Sequence, residues 1–436
     1  MAVKSKMKLT LSVIALGCAG AAIYIIPYIR GTFYDLEIAA TGMNNTQLAF
    51  LSSVMAMTGL FLSVPIGTIA DKMNNKKVVF WSLNLVTLVT LLFAFLFQTY
   101  FVGIITWFFL GIFTGFYWVC FSKILNVIGA KTDKEETGKS GMSFGFYYMV
   151  NGIVSAIISA VALAISERFS DPVTAFRAVC LTCAAGTVIA AVIVHFFLDD
   201  ELCAVDDTIV KVEEKNEFTG LNGLQRTKIM LRNPMIWCFA VVSFSIFAMN
   251  TLQQYFTPYL TNVVGITTTA SSAIAIIRTY LFYLLAPLGG IIADKVFHST
   301  TKWMGVVFIL LFFLTLGLFL MPSGANPMMV AYYTLLPAAI LQMSYTIRFS
   351  CIPELNVAPY IIAAATGLFT TFGSLTNLVI SPAIAACLDL YGNDGYRYLF
   401  IVLLVVLALG CVCSFLIVAN KKKHMAAAEK AQQSAE

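Results

Sequence analysis

Long apolar runs follow one another almost from end to end of the chain, separated by short polar breaks. Each run approaches the ~20 residues that a helix needs to cross the hydrocarbon of a bilayer. The pattern predicts twelve membrane-spanning helices, approximately over residues 9–29, 47–70, 78–97, 101–126, 142–165, 176–198, 235–259, 271–293, 303–320, 328–348, 360–384 and 398–419. The polar/apolar alternation of a membrane β-barrel is absent from the sequence, and a helix satisfies its own backbone groups where no water can. An all-α polytopic membrane protein is therefore expected, and an even number of spans places both ends on one side.

Composition agrees with that pattern. Of 436 residues, 59% are hydrophobic and 11% are charged. About 25% charged is usual in soluble domains, so lipid has to be the solvent for much of this surface. A formal charge of +5 raises the question of nucleic acid, but the basic residues are scattered between apolar runs and topology accounts for them better. The N-terminus, Lys72/Lys76/Lys77, Lys131/Lys134/Lys139, the stretch from Lys211 to Arg232, Lys295/Lys302 and Lys421–Lys423 fall on one face. Arg30, Arg168, Arg177 and Arg397 are nearly all that the other face carries. Excess Lys and Arg mark the cytoplasmic side, so both termini are expected in the cytoplasm and the protein in the cytoplasmic membrane. Lys4, Lys6 and Lys8 imitate the start of a secretory signal, yet the apolar run continues to Tyr28, which reads as an uncleaved first helix.

The ten cysteines form no metal or disulfide framework; Cys180 and Cys183 make a CxxC, but inside an apolar helix where packing explains them. Three histidines make no metal constellation, no Walker loop is present and no nucleophile–base pair emerges, so neither a cofactor, direct ATP drive nor an enzyme is expected.

Two halves repeat. Pro65-Ile-Gly67-Thr-Ile-Ala-Asp71-Lys72 returns as Pro287-Leu-Gly-Gly290-Ile-Ile-Ala-Asp294-Lys295, and Gly42-Met-Asn-Asn-Thr46 as Gly265-Ile-Thr-Thr-Thr269. Asn151 and Asn377 occupy matching places in the fifth and eleventh spans. Such recurrence at a nearly constant offset is the signature of a transporter built from structural repeats. The organisation expected is a six-helix bundle over 1–198, a polar cytoplasmic linker over 199–233, a second bundle over 234–420 and a cytoplasmic tail over 421–436.

The segment Gly67-Thr-Ile-Ala-Asp71-Lys72-Met-Asn-Asn-Lys76-Lys77 resembles the loop motif between helices two and three of the major facilitator superfamily. Asn74 stands where a second glycine is usual, and Asn75 replaces one basic position. The resemblance implies the twelve-helix fold of that superfamily and a gating role for Gly67, Asp71, Lys72, Lys76 and Lys77, echoed by Gly290, Asp294 and Lys295. Gly67 would let helix two approach a neighbour, and Asp71 would face the positive end of a helix. Trp107 stands where a second family motif has arginine, and Gly145 to Gly152 lacks the proline of the drug antiporters. Ile352-Pro353-Glu354, Ala-Ala-Ala-Thr366-Gly367, Ser381-Pro382 and Arg278-Thr-Tyr look like a poorly characterised bacterial branch typified by YihN.

Charged residues inside spans are costly and usually functional. Arg278 lies seven or eight residues into the eighth span, too deep to reach water easily, with no acid at similar depth in the predicted spans. Lys123 and Arg348 are matched by the repeat near the cytoplasmic ends of spans four and ten, with Glu354 close enough to pair with Arg348 when the inner gate closes. Arg30 reads as an interfacial anchor. Tyr24, Tyr117, Tyr147, Asn151, Gln254, Tyr345 and Asn377 complete a candidate cavity, with Tyr148, Asn250, Gln253 and Thr370 beside them. Cations and amides without a deep acid favour a small organic anion, clamped by the planar donor fork of arginine. The expectation is a secondary transporter of such an anion working by alternating access as a monomer, with a proton or sodium as possible coupling ion. A carrier of a neutral sugar or nucleoside is the alternative within the class; a non-transporting receptor or scaffold is the alternative outside it.

Overall fold

In hydrocarbon every backbone N–H and C=O has to find its partner within the protein, and the apolar runs are accordingly helical. A computed structural model describes residues 2–70, 72–132, 140–203, 228, 230–322, 324–355 and 368–433. Among the described residues, ten stretches are long and apolar enough to cross a membrane. The expected twelve are recovered because Leu368–Lys423, 56 residues long, holds two crossings, and because the tenth is broken into Pro327–Tyr333 and Leu335–Tyr345. Pro337 causes that break, having no N–H to offer the carbonyl of Tyr333.

We label the crossings α1 (Met7–Thr41), α2 (Asn45–Ala70), α3 (Asn75–Leu96), α4 (Tyr100–Thr132), α5 (Ser140–Ser166), α6 (Pro172–Phe197), α7 (Pro234–Asn262), α8 (Thr268–Phe297) and α9 (Thr300–Phe319). The two pieces of the tenth form α10, residues 368–391 form α11, and Gly395–Gln433 form α12. Side-chain caps set several starts. Asp171 accepts from Thr174 N at 2.9 Å and Thr174 Oγ1 at 2.7 Å, bonds that hold its carboxyl below the usual carboxylate range. Asn233 and Asn326 cap helices that begin with a proline, where the missing N–H costs nothing.

The first crossing is longer than the expected 9–29. After a turn at Ile26–Ile29 it resumes as Arg30–Thr41 and ends at Gly42, whose φ of 69° closes the helix. Hydropathy stopped at Arg30 because Arg30, Asp35 and Glu37 lower the average. Yet Arg30 is buried and bonded to Ser52, so it is not an interfacial anchor. Gly265, the repeat mate of Gly42, takes the same left-handed backbone with φ 83°.

Two apolar cores form, one running from Val13 to Cys203 and the other from Met230 to Ile417, the second also receiving Tyr34 and Ala49. Large apolar side chains such as Phe61, Phe101 and Phe313 project outward, as they must where lipid replaces water. Both chain ends lie on one face: Lys8 pairs with Asp199 at 3.5 Å, Lys76 with Asp200 at 3.2 Å and Lys421 with Glu354 at 3.8 Å. We call this the near face and its opposite the far face.

Candidate functional site

Tyrosines from both halves gather at the centre of the molecule. In the first half, the Tyr117 and Tyr147 hydroxyls are 3.1 Å apart, Tyr117 also donates to Leu16 O at 2.9 Å, and Asn151 donates to the Tyr147 hydroxyl at 3.5 Å. Tyr24 packs edge-on against Tyr117 with centroids 6.0 Å apart. Tyr148 of α5 stacks on Tyr283 of α8 at 5.8 Å, joining the halves. Tyr24, Tyr28, Tyr148 and Tyr283 all lie near Tyr345 of α10. Tyr28 exposes 46% of its surface although it sits at the bend of α1 between other tyrosines, so that surface faces space between the helices. This chamber offers ring faces and hydroxyls, which suit a small ring-bearing or planar molecule with hydrogen-bonding groups.

Arg348 supplies its cation. The guanidinium lies 4.2 Å from the Tyr345 ring centroid and donates to Tyr345 O at 2.5 Å, and Tyr148 feels its charge. Lys123, expected opposite it, is half-buried on α4.

Arg278 is placed differently from the expectation of a cavity-lining anchor. It is fully buried (0% exposed), 5.7 Å from the Phe256 ring, and one nitrogen donates to Thr257 Oγ1 at 2.7 Å. Among the described residues its Nε and other terminal nitrogen have no hydrogen-bond partner. Thr257 passes its own proton to Gly31 O at 2.8 Å, and one turn on Thr261 donates to Asp35 at 2.8 Å. Both bonds cross from the outer part of α1 to α7, so these two helices meet between the halves. Gln254 and Asn377 bond elsewhere: Gln254 donates to Ser381 at 3.3 Å, a serine also bonded to the Tyr255 hydroxyl, and Asn377 O accepts from Ser53 of α2 at 2.7 Å.

The expectation that no acid lies deep in the helices is overturned. Glu37 is 1% exposed, its Oε2 has no hydrogen-bond partner, and it forms no ion pair among the described residues. The repeat carried the signal that would have found it. With Gly42 matched to Gly265, the end of α7 at Asn262 implies that α1 continues well past Arg30.

Several gating expectations change as well. Asp71 lies outside the described residues. Lys72, Asp294 and Lys295 are exposed, Lys77 N is held by the cap Asn74 at 3.2 Å, and Lys76 pairs with Asp200. Among the described residues nothing stands where a Cβ on Gly67 would lie, so no close approach is seen there. In the second half the tight contact belongs to Gly289, not Gly290: a Cβ on Gly289 would fall 1.6 Å from Met343 O. Among the described residues Glu354 is not bonded to Arg348 in this state, the pair having been expected when the inner gate closes. It accepts from Ser299 Oγ at 2.6 Å and Thr300 N at 2.8 Å, capping α9 within its own half, because an unsatisfied helix N-terminus is the nearer attraction.

Comparison with known proteins follows the same lines. A family model described as Major Facilitator Superfamily matches residues 9–375. Inner membrane protein YihN of Escherichia coli (strain K12) is 25% identical over 420 residues, covering 94% of this chain and 96% of that protein. Inner membrane protein YqcE of the same organism is 25% identical, covering 94% of each. Among solved structures, a mutant form of nucleoside transporter NupG has a TM-score of 0.68 at 13% identity, covering 95% of this chain and 99% of that one. At that identity the likeness is one of fold.

Proposed function

The chain belongs to the major facilitator superfamily and is a multi-pass membrane transporter, and from that premise we propose that it carries a small organic anion across the cytoplasmic membrane by alternating access. The halves 1–198 and 234–420 rock about the tyrosine chamber, with both termini cytoplasmic.

One observation carries the anionic reading: the two unpartnered, fully buried guanidinium nitrogens of Arg278. Buried donors without acceptors are rare and costly, and a carboxylate, phosphate or sulfonate is the acceptor their fork geometry suits. Arg278 sits where α1, α7 and α8 meet, so its donors open to substrate when these helices part. Arg348, on the chamber wall, meets the same charge on its way to the near face. Glu37 is the group that exchanges the coupling proton, because a fully buried carboxylate with an unpartnered oxygen, near Arg30 but not bonded to it, is expensive in that setting.

A specific observation also favours the neutral alternative. Stacked tyrosines suit a ring without requiring charge, and the solved structure named above is a nucleoside transporter.

Ligand-induced thermal stabilisation of the purified protein separates the two readings, since a binder raises the apparent melting temperature by mass action. The screen spans organic acids, sugar acids, phosphate esters, neutral sugars and nucleosides. An anionic hit that disappears in Arg278→Ala is the expected result. A nucleoside or sugar hit that survives this substitution replaces the anionic reading with the neutral one.

A further inference from the structure

We propose that Asp389 is the external latch of the transport cycle, a carboxylate of one half that closes the far gate by capping a helix of the other. Asp389 stands near the far end of α11. One of its oxygens accepts from Asn45 N at 3.0 Å and Asn45 Nδ2 at 2.7 Å; the other accepts from Thr46 N at 2.8 Å and Thr46 Oγ1 at 2.6 Å. Asn45 and Thr46 begin α2. The next amide, Gln47 N, is held by Asn44 Oδ1 at 2.8 Å, while Gln47 Oε1 accepts from Asn44 N at 3.0 Å. Leu48 N bonds Asn44 O at 3.1 Å. The N-terminus of α2 is thus satisfied half by its own loop and half by the opposite bundle.

That division suits a gate. A charge at a helix N-terminus gains both hydrogen bonds and the favourable end of the helix dipole. Asp389 is also exposed, so water can take over its four bonds when the halves part, and the latch opens without stranding a buried charge. Ser53 to Asn377 O, Thr257 to Gly31 O and Thr261 to Asp35 are further bonds across the halves, but none of them joins a carboxylate to the backbone amides at a helix start.

The repeat shows how specific the latch is. The mates of Asn45 and Thr46, at the offset of 223 between Gly42 and Gly265, are Thr268 and Thr269 at the start of α8. They do not meet the end of α5 in the same way. Instead they line a cavity of about 500 Å³ together with Ser166 and Glu167 at the end of α5. Among the described residues the Glu167 side chain makes no hydrogen bond or ion pair. The start of α2 is tied to the opposite bundle by a carboxylate, and the matching start of α8 is not.

The latch rests on the alternating-access reading, and the test separates the two. Spin labels on Gln98→Cys, between α3 and α4, and Gly324→Cys, between α9 and α10, report the far-face separation by double electron–electron resonance in nanodiscs. The ten native cysteines are buried or half-buried and label poorly. Asp389→Asn replaces one acceptor by a donor facing N–H groups. It is expected to move the closed-to-open ratio about tenfold toward the longer distance, the size of a lost charge-assisted bond. Thr46→Ala, which removes one of the four bonds, is expected to move it less in the same direction. If both variants keep the wild-type distribution while wild type itself moves between two distances with pH or ligand, the latch is wrong and alternating access stands. A single distance in every protein under every condition overturns both.

Discussion

Tyr148 on α5 and Tyr283 on α8 stack across the two halves with ring centroids 5.8 Å apart and planes 24° apart. Near them Gly152 lets the helices touch: a Cβ there would fall 2.6 Å from Tyr280 O and 2.8 Å from Tyr283 Cβ. The ring pair therefore sits on a helix contact that a single methyl group would push open.

Because stacked aromatic pairs contribute ~0.5–1.5 kcal/mol beyond the area they bury, a double-mutant cycle on Tyr148 and Tyr283 should give a coupling of about 1 kcal/mol in ligand affinity. Phenylalanine at either position should keep most of it, and alanine at either should lose it. Titration calorimetry of the four proteins with the ligand from the thermal screen measures this. Additive alanine effects would mean the rings act on the ligand independently, or not at all.

Arg278 allows a test in which stability and function move in opposite directions. Arg278→Met removes two unpartnered nitrogens from a buried site, and Thr257 keeps a partner through its bond to Gly31 O. Unligated stability should hold or rise by ~1–3 kcal/mol, since replacing an unsatisfied buried cation by an apolar side chain relieves desolvation. Anion binding should vanish, and Arg278→Lys should fail to restore it because an ammonium lacks the planar fork. A fall in apparent melting temperature together with intact anion binding would make Arg278 a structural residue.

Much of this architecture was legible from periodicity and repeat alone. Twelve crossings, the matched Gly42 and Gly265, and the grouping of Tyr24, Tyr117, Tyr147 and Asn151 follow from apolar runs, a constant offset and polar residues inside them. What escaped was set by neighbours distant in sequence. Hydropathy cannot see that Arg30 and Glu37 are shielded by protein, so it ended α1 too early. Spacing from Glu354 to Arg348 suggested a pair, whereas the open amides of α9 lay closer in space. Asp389 stands beside an exposed Leu390 and Tyr391, and nothing local marks it as bonded 344 residues away.

Glu354→Ala should behave as the loss of a helix cap. It removes the acceptor of Ser299 Oγ and Thr300 N and the partner of Lys421. A cost of about 1 kcal/mol is expected, typical of capping groups, with Glu354→Gln between the two. Ligand affinity should stay within about twofold of wild type, because helix caps act on stability rather than on the chamber. Unfolding and binding measured on the same preparations check both parts. A large change in affinity at unchanged stability would return Glu354 to the gate.

Glu37 decides the coupling ion. If a monovalent anion travels with one proton, the step is electroneutral, so accumulation follows the pH gradient and ignores the membrane potential. One pH unit is worth ~1.36 kcal/mol and supports about tenfold accumulation per proton. Glu37→Gln keeps the shape of the side chain but cannot exchange a proton. In proteoliposomes it should bring gradient-driven accumulation down to about unity while exchange of labelled for unlabelled substrate continues. The other titratable groups of this region are Arg30, Tyr34 and Asp35 on the same segment, Cys180 and Cys183 on α6, Tyr255 on α7 and Tyr396 on α12. Asp35→Asn is the control that separates the two acids, since Asp35 is bonded to Thr261 and lines the far cavity. Accumulation that follows a sodium gradient, or that survives in Glu37→Gln, would remove Glu37 from the proton path and leave its burial without a transport role.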